Sequence, residues 1–389
     1  MTEPAAANVP VASIPRDDLA GRVDLVRKLL ANTSESYDAL ETSLTEEQVK
    51  GKIENFVGAV PMPLGLCGPI DIMGQHARGT FIVPMATLEG TLVASYSRGA
   101  RVMNRSGGCE TIVHGDGFLR GAQFTTSSLA RSAALIEWCR SHEAELRRLV
   151  ESTSSRIGVI DFVYDCVGTT VLVSFRVRTG DAMGSNMASK AASVMADYVV
   201  AHAGLVEDAV VPYPEDKKYI PLRQKGKKVI ARTVVKRDVL ARITRTTPER
   251  LAAYITDYKN LLALHGSYAQ NIHAANGLTA MFQAFGQDVA YIGECSQAIV
   301  DCRFAGPDSL EVSVTLPTLI VATVGGGTGL PAFRATLAMV DCYGPGRVTK
   351  LAEVMAAVVL AGEIGCGAAQ CANEFVRAHE NMGKNRPPL

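Results

Sequence analysis

Several features that define common protein classes are missing from this chain of 389 residues. It has no net charge, with 39 Lys and Arg against 39 Asp and Glu, so no overall field favours nucleic acid or an anionic membrane. The nine cysteines form no CxxC pair and no Cys/His cluster of the kind that holds zinc. We therefore expect reduced thiols in a reducing compartment, no bound metal, no nucleic acid, and a small molecule as the partner.

Targeting and membrane signals are also missing. The first residues, MTEPAAANVPVASIPRDD, contain no basic segment leading into an apolar one, so we do not expect a secretory signal. The apolar runs at 316–324 and 354–362 are shorter than the roughly 20 residues that span a bilayer. These observations predict a cytoplasmic protein without a membrane segment.

Neither common nucleotide-binding motif is present. No GxGxxG follows a strand, and VGGGTGLP (324–331) lacks the Gly-Lys-Ser/Thr ending of a P-loop, so a nicotinamide cofactor would need a site that is not of the Rossmann type. The segment GDAMGSNM (180–187) could receive a phosphate, because a strand gives way there to the N–H groups of a helix start. A simple helix cap with close packing is the alternative interpretation.

The spacing of apolar residues predicts an α+β protein, long enough for two or three domains. A capping box of Thr45 and Gln48 is expected to open an N-terminal helix. Two β-rich runs, 157–165 and 169–178, are preceded and followed by a predicted helix. This order indicates a small sheet domain inserted into a larger one. Further helices are predicted at 17–33, 88–102, 127–150, 237–264, 268–287 and from about 348 onwards, and further strands at 226–235 and 310–324.

A few residues could carry acid–base chemistry. In EDKK (215–218) a desolvated lysine could polarise a carbonyl, although a solvated charge run fits the same four residues. Glu89 stands among apolar and small residues near a helix start, where we expect partial burial. Asp288 and His379 would ordinarily be a capping residue and an exposed residue, respectively.

Four segments of the chain occur in the order found in one family: ENFVGAVPMPLG (54–65), GDAMGSNM, EDKK and VGGGTG (324–329). The chain resembles the class I 3-hydroxy-3-methylglutaryl-CoA (HMG-CoA) reductases of the soluble prokaryotic type, and MATLEG (85–90) resembles the class I rather than the class II element. The resemblance implies a helical N-terminal segment (1–53), a large α/β substrate domain (54–121 and 216–389), and an inserted ferredoxin-like NADP-binding domain (122–215). It also implies a homodimer or homotetramer with the active site across the dimer interface.

The resemblance implies NADPH-dependent reduction of an acyl-CoA thioester, HMG-CoA to mevalonate, with two hydride transfers. It makes Glu89 the general acid, Lys217 the group that holds the oxyanion, Asp288 the residue hydrogen-bonded between them, and His379 the acid that protonates the departing thiolate. The implied cofactor-binding residues are Ser155, Arg156, Asp181, Met183, Gly184, Asn186 and Met187. The implied substrate-binding residues are Glu54, Arg98, Arg120, Lys218 and Asn276.

Departures from the family pattern concentrate beside EDKK. VVPYPE (210–215) replaces a Ser-Gly-Asn approach and YIPLRQ (219–224) replaces a Pro-Ala-Ala-x-Asn continuation, which removes a hydroxyl and an amide. Gly329, Gly365 and Cys366 also differ from the family's usual residues. Two alternatives therefore stay open: a different acyl thioester, on CoA or on a carrier protein, and a non-catalytic thioester or nucleotide binder, against which the intact catalytic quartet argues.

Overall fold

Helices and strands alternate along the chain in a computed structural model that describes residues 14–15, 18–211, 217–218, 225–376 and 380. The α-helices are α1 Leu19–Leu30, α2 Glu46–Val49, α3 Leu92–Ser106, α4 Leu129–Ser141, α5 Glu143–Ser152, α6 Ser185–Ala203, α7 Arg237–Thr244, α8 Pro248–Leu264, α9 Ala274–Ala284, α10 Ile292–Cys295, α11 Pro331–Met339 and α12 Val348–Cys371. The strands are β1 Leu64–Gly74, β2 Arg78–Ala86, β3 Cys109–Thr125, β4 Gly158–Val167, β5 Thr170–Arg178, β6 Asp208–Val210, β7 Gly226–Lys236, β8 Ile299–Gly306 and β9 Ser309–Leu319.

The larger part of the sheet has the strand order β2-β1-β3-β7-β9-β8. β1 pairs in parallel with the first residues of β3, and the other neighbours pair antiparallel. Helix α12 contacts β7, β9, β3 and β1 and also packs against α3 and α9. The sheet and α12 therefore form the centre of the hydrophobic core, and the α+β fold class expected from the sequence is confirmed.

A smaller antiparallel sheet is formed by the second half of β3 with β4, β5 and β6. Along the chain its elements are β3, the helices α4 and α5, the strands β4 and β5, helix α6 and strand β6. In the sheet the strands lie in the order β6-β3-β5-β4. This is the expected ferredoxin-like arrangement. β3 belongs to both sheets, because Gly117 pairs with Gly226 in the larger sheet and Phe118 pairs with Val177 in the smaller one.

Helix α12 is the longest helix that the structure describes, and every residue from 351 to 369 is buried. By length and a mean hydropathy of 1.7 it could cross a bilayer, but that apolar stretch is entirely buried inside the protein. It is longer than the apolar runs considered in the sequence, and its burial identifies it as a core helix. A Cβ on Gly99 of α3 would lie 1.7 Å from the carbonyl oxygen of Ala361, so the two helix backbones touch there.

Two helices predicted as continuous are broken in the structure. The predicted helix at 127–150 becomes α4 and α5 because His142, at φ −104° and ψ 12°, lies between them. The predicted helix at 237–264 becomes α7 and α8, because Arg245 adopts the left-handed conformation and Thr247 caps a new start. The capping box of Thr45 and Gln48 is confirmed, although the helix that it opens is only four residues long.

Candidate active site

Lys217 and Asp288, both predicted catalytic residues, form an ion pair. The Lys217 Nζ lies 3.2 Å from Asp288 Oδ2 and 5.5 Å from the centroid of the buried Tyr291 ring. The other carboxylate oxygen of Asp288 accepts from the Ala290 N–H at 3.0 Å and caps the 3-10 turn Val289–Tyr291. The carboxylate is therefore fixed by the chain that follows it, and the ammonium lies between this anion and an aromatic face.

Glu89 and Asn276 form a second pair. Asn276 Nδ2 donates to Glu89 Oε2 at 2.8 Å. Glu89 lies three residues before α3, as the sequence predicted, and Asn276 lies in the first turn of α9. The expectation of partial burial is wrong for the single chain, because the Glu89 residue is exposed. The amide holds one carboxylate oxygen and leaves the acid open to the adjoining cleft.

The two pairs stand at opposite ends of α9. Asn276 lies near its first residue, and Asp288 follows its last residue, Ala284. Ala284 lies eight positions after Asn276 in the helix, a rise of about 12 Å. The arrangement predicted from the sequence, with Asp288 bonded to both Lys217 and Glu89, is therefore not formed within one copy of the described chain.

A cleft of about 130 Å³ adjoins Glu89. Arg98, from α3, donates to the Gly365 carbonyl oxygen at 2.8 Å and lies 3.4 Å from a Glu374 carboxylate oxygen. Arg245 pairs with the other oxygen of the same carboxylate, so two cations hold the chain that follows α12. Residues lining the cleft are Glu89, Thr91, Leu92, Ala94, Ser95, Arg98, His273, Cys366, Ala369 and Phe375.

His273 and Glu363 form a charged contact in this cleft that the sequence did not predict. Glu363, almost fully buried in α12, accepts from the main-chain N–H groups of Ile272 and His273 at 2.7 and 3.0 Å, and lies 3.5 Å from His273 Nδ1. Burial alone would lower the pKa of His273, but hydrogen bonds with Cys366 and Glu363 outweigh it and raise the pKa to about 10. The contact with the Glu363 carboxylate therefore favours the protonated form of His273.

The residues expected at the cofactor meet at the start of α6. Gly184 is its N-cap at φ 93°, where a Cβ would lie 2.1 Å from Thr179 Cγ2, and no side chain caps the free N–H groups of the first turn. Ser154 contacts the Met187 sulfur at 3.6 Å, which brings the exposed turn of Ser155 and Arg156 beside α6. An uncapped helix start beside an exposed turn that carries an arginine suits a phosphate-bearing ligand. Other predicted residues on this segment are Met183, half-buried, and Asn186, exposed.

Asp181 has a structural task besides the predicted one. Its carboxylate accepts from the N–H groups of Gly346, Arg347 and Val348 at 2.8, 3.0 and 3.1 Å, and so caps the start of α12. Its carbonyl oxygen accepts from the N–H groups of Thr323 and Val324, directly before the Gly-rich loop. Asp181 therefore joins the expected cofactor segment to that loop.

The Gly-rich loop lies against the turn that precedes Asp288. An added Cβ on Gly327 would lie 2.7 Å from the carbonyl oxygen of Gly286, so the two backbones approach closely. The Gln287 side chain donates to the Ala322 carbonyl at 3.0 Å and accepts from the Ala322 N–H at 2.7 Å. The expected cofactor segment and the Lys217–Asp288 pair therefore lie at the same end of α9.

The expected substrate residues have different environments. Arg120 is buried on β3, where its guanidinium donates to Ser185 Oγ at 2.5 Å and lies over the Phe118 ring. Glu54 is exposed in the irregular chain before β1, and Lys218 is exposed beside Lys217. Of the catalytic quartet, His379 lies outside the described residues, as do 212–216 and 219–224 of the rewritten loop.

One buried charge, Glu363, could have been noticed in the sequence, whereas the buried pair of Lys225 and Glu294 could not. Glu363 is one of two acids, with Glu353, in the otherwise apolar stretch 351–369 of α12, and an acid in such a stretch needs a partner. Lys225, near the start of β7, pairs with Glu294 out of contact with water. Nothing local in the sequence indicates that second pairing. No group of three or more His, Cys, Asp or Glu suited to a metal ion occurs within the described part of the chain.

The site combines a lysine held by a carboxylate and an aromatic ring, an acid held by an amide, and an uncapped helix start. These groups suit an enzyme of acid–base chemistry at a carbonyl. A family model described as Hydroxymethylglutaryl-coenzyme A reductase matches residues 18–384. Among relatives named 3-hydroxy-3-methylglutaryl-coenzyme A reductase, that of Aeropyrum pernix is 36% identical, covering 94% of this chain and 90% of its own. That of Methanothermobacter thermautotrophicus is 35% identical, covering 87% of each chain.

The solved structure of the class II 3-hydroxy-3-methylglutaryl-CoA reductase from Streptococcus pneumoniae, bound to NADPH in open conformations, has the same fold. It matches with a TM-score of 0.69 at 20% identity, over 90% of this chain and 96% of that one. The chain belongs to the hydroxymethylglutaryl-coenzyme A reductase family. The resemblance is thus confirmed at the level of the family, while the assignment to class I stays a prediction because this structural neighbour is a class II enzyme.

Proposed function

We propose that this oxidoreductase reduces HMG-CoA to mevalonate with two equivalents of NADPH, as a class I enzyme. The observation that carries the proposal is the Lys217–Asp288 pair at 3.2 Å, next to the Tyr291 ring. A thioester carbonyl that accepts hydride develops negative charge on its oxygen. A cation held in advance at that oxygen stabilises the transition state more than the ground state.

Lys217 holds the oxyanion and Asp288 holds Lys217. Because one carboxylate oxygen caps the Val289–Tyr291 turn, the other is fixed toward the ammonium without further ordering. Glu89 supplies the proton to the oxygen as general acid, with Asn276 fixing its orientation. In this proposal His379 protonates the departing thiolate.

The residues at the start of α6 fit NADPH. The open N–H groups after Gly184 suit its pyrophosphate, and Arg156 with Ser155 suits the 2′-phosphate that distinguishes NADPH from NADH. Met183, Asn186 and Met187 would contact the rest of the cofactor, while Asp181 anchors their segment on α12. Two NADPH molecules, bound one after the other, would each supply one hydride. These residues support residues 122–215 as the cofactor domain.

Arg120 is the residue we assign to the free carboxylate of the substrate. Its guanidinium is fixed by Ser185 and the Phe118 ring, and a guanidinium in a fixed plane binds a carboxylate through two hydrogen bonds. Lys218, Glu54 and Arg98 complete the proposed substrate side. The rewritten sequence around 210–224 favours one alternative, a different acyl thioester on CoA or on a carrier protein, which the same assay tests.

The separation of the two pairs supports a homodimer or a dimer of dimers. Glu89 of one copy must approach Lys217 of another if acid and oxyanion holder are to act on one carbonyl, because about 12 Å of α9 separates their partners within one chain. A second copy would also cover Lys217, whose side chain is 45% exposed in the single chain. We further propose a cytoplasmic location and no membrane association.

The test is NADPH oxidation by the purified protein with HMG-CoA, compared in the parent and in Lys217→Ala. Lys236→Ala serves as the matched control, because that lysine is exposed at the end of β7. We expect two NADPH oxidised per thiol released in the parent and the control. In Lys217→Ala we expect turnover at least 10²-fold lower, the scale of losing one oxyanion donor.

Two outcomes separate the candidates. Turnover with another acyl thioester but not with HMG-CoA would move the assignment to that substrate and keep the roles of the residues. Equal turnover in Lys217→Ala and Lys236→Ala would refute the proposed chemistry. NADH run in parallel tests the cofactor, and preference for NADPH should disappear in Arg156→Ala.

A further inference from the structure

Lys225 and Glu294 form a buried ion pair beside the candidate active site. Their side chains are 3% and 1% exposed, respectively, and the Lys225 ammonium contacts a Glu294 carboxylate oxygen. Taking both charges out of water costs several kcal/mol per ion, and well-packed apolar residues would often be as stable. Stability alone is therefore a weak reason for this pair.

The same ammonium also binds the main chain next to the proposed catalytic lysine. Lys225 Nζ donates to the carbonyl oxygen of Lys218 at 2.8 Å. Lys217, one residue earlier, has a φ of +57°, a conformation that residues other than glycine adopt rarely and that persists where the surroundings enforce it. The ammonium thus holds the main chain one residue after Lys217.

The partner carboxylate belongs to the element that also holds the Lys217 side chain. Asp288 and Tyr291 contact Lys217 Nζ, and Glu294 lies in α10, which begins directly after Tyr291. One short stretch, 288–295, therefore contacts the side chain of Lys217 directly. It also reaches the main chain of Lys218 through the Lys225 ammonium. The stretch is itself anchored, because the Cys295 sulfur accepts from the Ile320 N–H at 3.3 Å.

From this arrangement we infer that Lys225 and Glu294 are positioning residues for Lys217. The pair ties the main chain of Lys217 and Lys218 to the element that carries Asp288, so that the ammonium and its carboxylate are set together. The inference rests on the proposed role of Lys217. Neither residue touches the substrate, and both act by fixing where the Lys217 ammonium lies.

The test uses a double variant, Lys225→Met with Glu294→Leu, which removes both charges and the donor to Lys218. Removing one partner alone leaves a buried charge and is strongly destabilising, whereas replacing both by apolar residues of similar volume is often neutral. We expect the double variant to melt within a few degrees of the parent. We expect kcat to fall about 10²-fold, the scale of misplacing a catalytic group by 1 Å, with the KM for NADPH unchanged.

Two further variants separate positioning from stability. Lys225→Arg keeps a cation and hydrogen-bond donors at this position. We expect its kcat to be close to that of the parent, and its melting temperature to be no higher than that of the double variant. The matched control, Lys350→Met with Asp341→Asn, removes a lysine–acid pair at 2.7 Å near α12 and should leave kcat and KM within about twofold of the parent values.

Hydrogen exchange of the peptide that contains Lys217 and Lys218 gives a readout that needs no substrate. We expect faster exchange there in the double variant and unchanged exchange in the core of α12. A double variant that exchanges and turns over like the parent would overturn the inference. If Lys217→Ala keeps the turnover of the parent, or the parent has none, the proposed function fails instead, and the exchange result alone decides the positioning role.

Discussion

Replacing Glu363 by Gln should make stability depend on pH in a specific way. The carboxylate is 1% exposed, accepts from the N–H groups of Ile272 and His273 at 2.7 and 3.0 Å, and lies 3.5 Å from His273 Nδ1. Glutamine keeps the shape and an acceptor oxygen but removes the charge. The imidazolium would then be buried without its anion, which is costly.

The direction of the pH dependence follows from the pKa of His273, which is raised to about 10 from an ordinary 6.5. A group that holds its proton more tightly in the folded state contributes its full stabilisation below pH 6.5 and loses it as the pH rises toward 10. The difference of 3.5 pKa units corresponds to about 5 kcal/mol at most. Because Cys366 also contributes to this shift, we expect Glu363→Gln to lose about 3 kcal/mol near pH 6.

The assay is urea unfolding of the parent and Glu363→Gln at intervals from pH 6 to pH 10. The gap in unfolding free energy should shrink toward about 1 kcal/mol at pH 10, where the two main-chain hydrogen bonds remain. Tyr96 does not titrate in this window, because burial raises its pKa well above 10. Repeating the comparison in a Cys366→Ser background removes the neighbouring thiol. A gap that stays constant with pH would refute the coupling between Glu363 and His273.

Three further predictions concern packing, capping and assembly. Gly99→Ala, whose Cβ would lie 1.7 Å from a carbonyl oxygen of α12, should cost about 3 kcal/mol in thermal unfolding, whereas Gly293→Ala, with nothing within 4 Å, should be nearly neutral. Asp181→Asn weakens the cap of α12 and should cost about 1 kcal/mol without NADPH present. Mixing and reassociating the inactive variants Glu89→Ala and Lys217→Ala should restore about a quarter of the parent activity, since half of the dimers are mixed and each has one intact site.

Local patterns predicted much of the fold. The two β-rich runs became β4 and β5, the helix after GDAMGSNM became α6, and the capping box formed as expected. β3 was not predicted, although it is the longest strand, because its polar and glycine-containing sequence lacks a regular alternation and it changes sheets along its length. The breaks at His142 and Arg245 were also missed, because tertiary packing and a new cap determine them more than helix propensity does.

Site residues that belong to a sequence motif could be predicted, whereas contacts that depend on the fold could not. Lys217 and Asp288 lie 71 positions apart in the sequence, and only the resemblance to a family placed them together. Lys225 and Glu294 occur in no motif considered in the sequence, and each would ordinarily be expected at the surface. Burial of such a pair follows from the approach of the residue before β7 to α10, which periodicity along one chain does not reveal.

The arrangement divides the proposed chemistry between two copies in a definite way. Asp181 fixes the cofactor segment to the start of α12 and to the chain before the Gly-rich loop, and that loop packs on the turn before Asp288. In the dimer that we propose, the hydride source and the proposed oxyanion holder Lys217 therefore belong to one chain, and the proposed proton donor Glu89 comes from the other. Since acid and cation then meet only on assembly, a monomer could bind NADPH and still lack a complete site for carbonyl reduction.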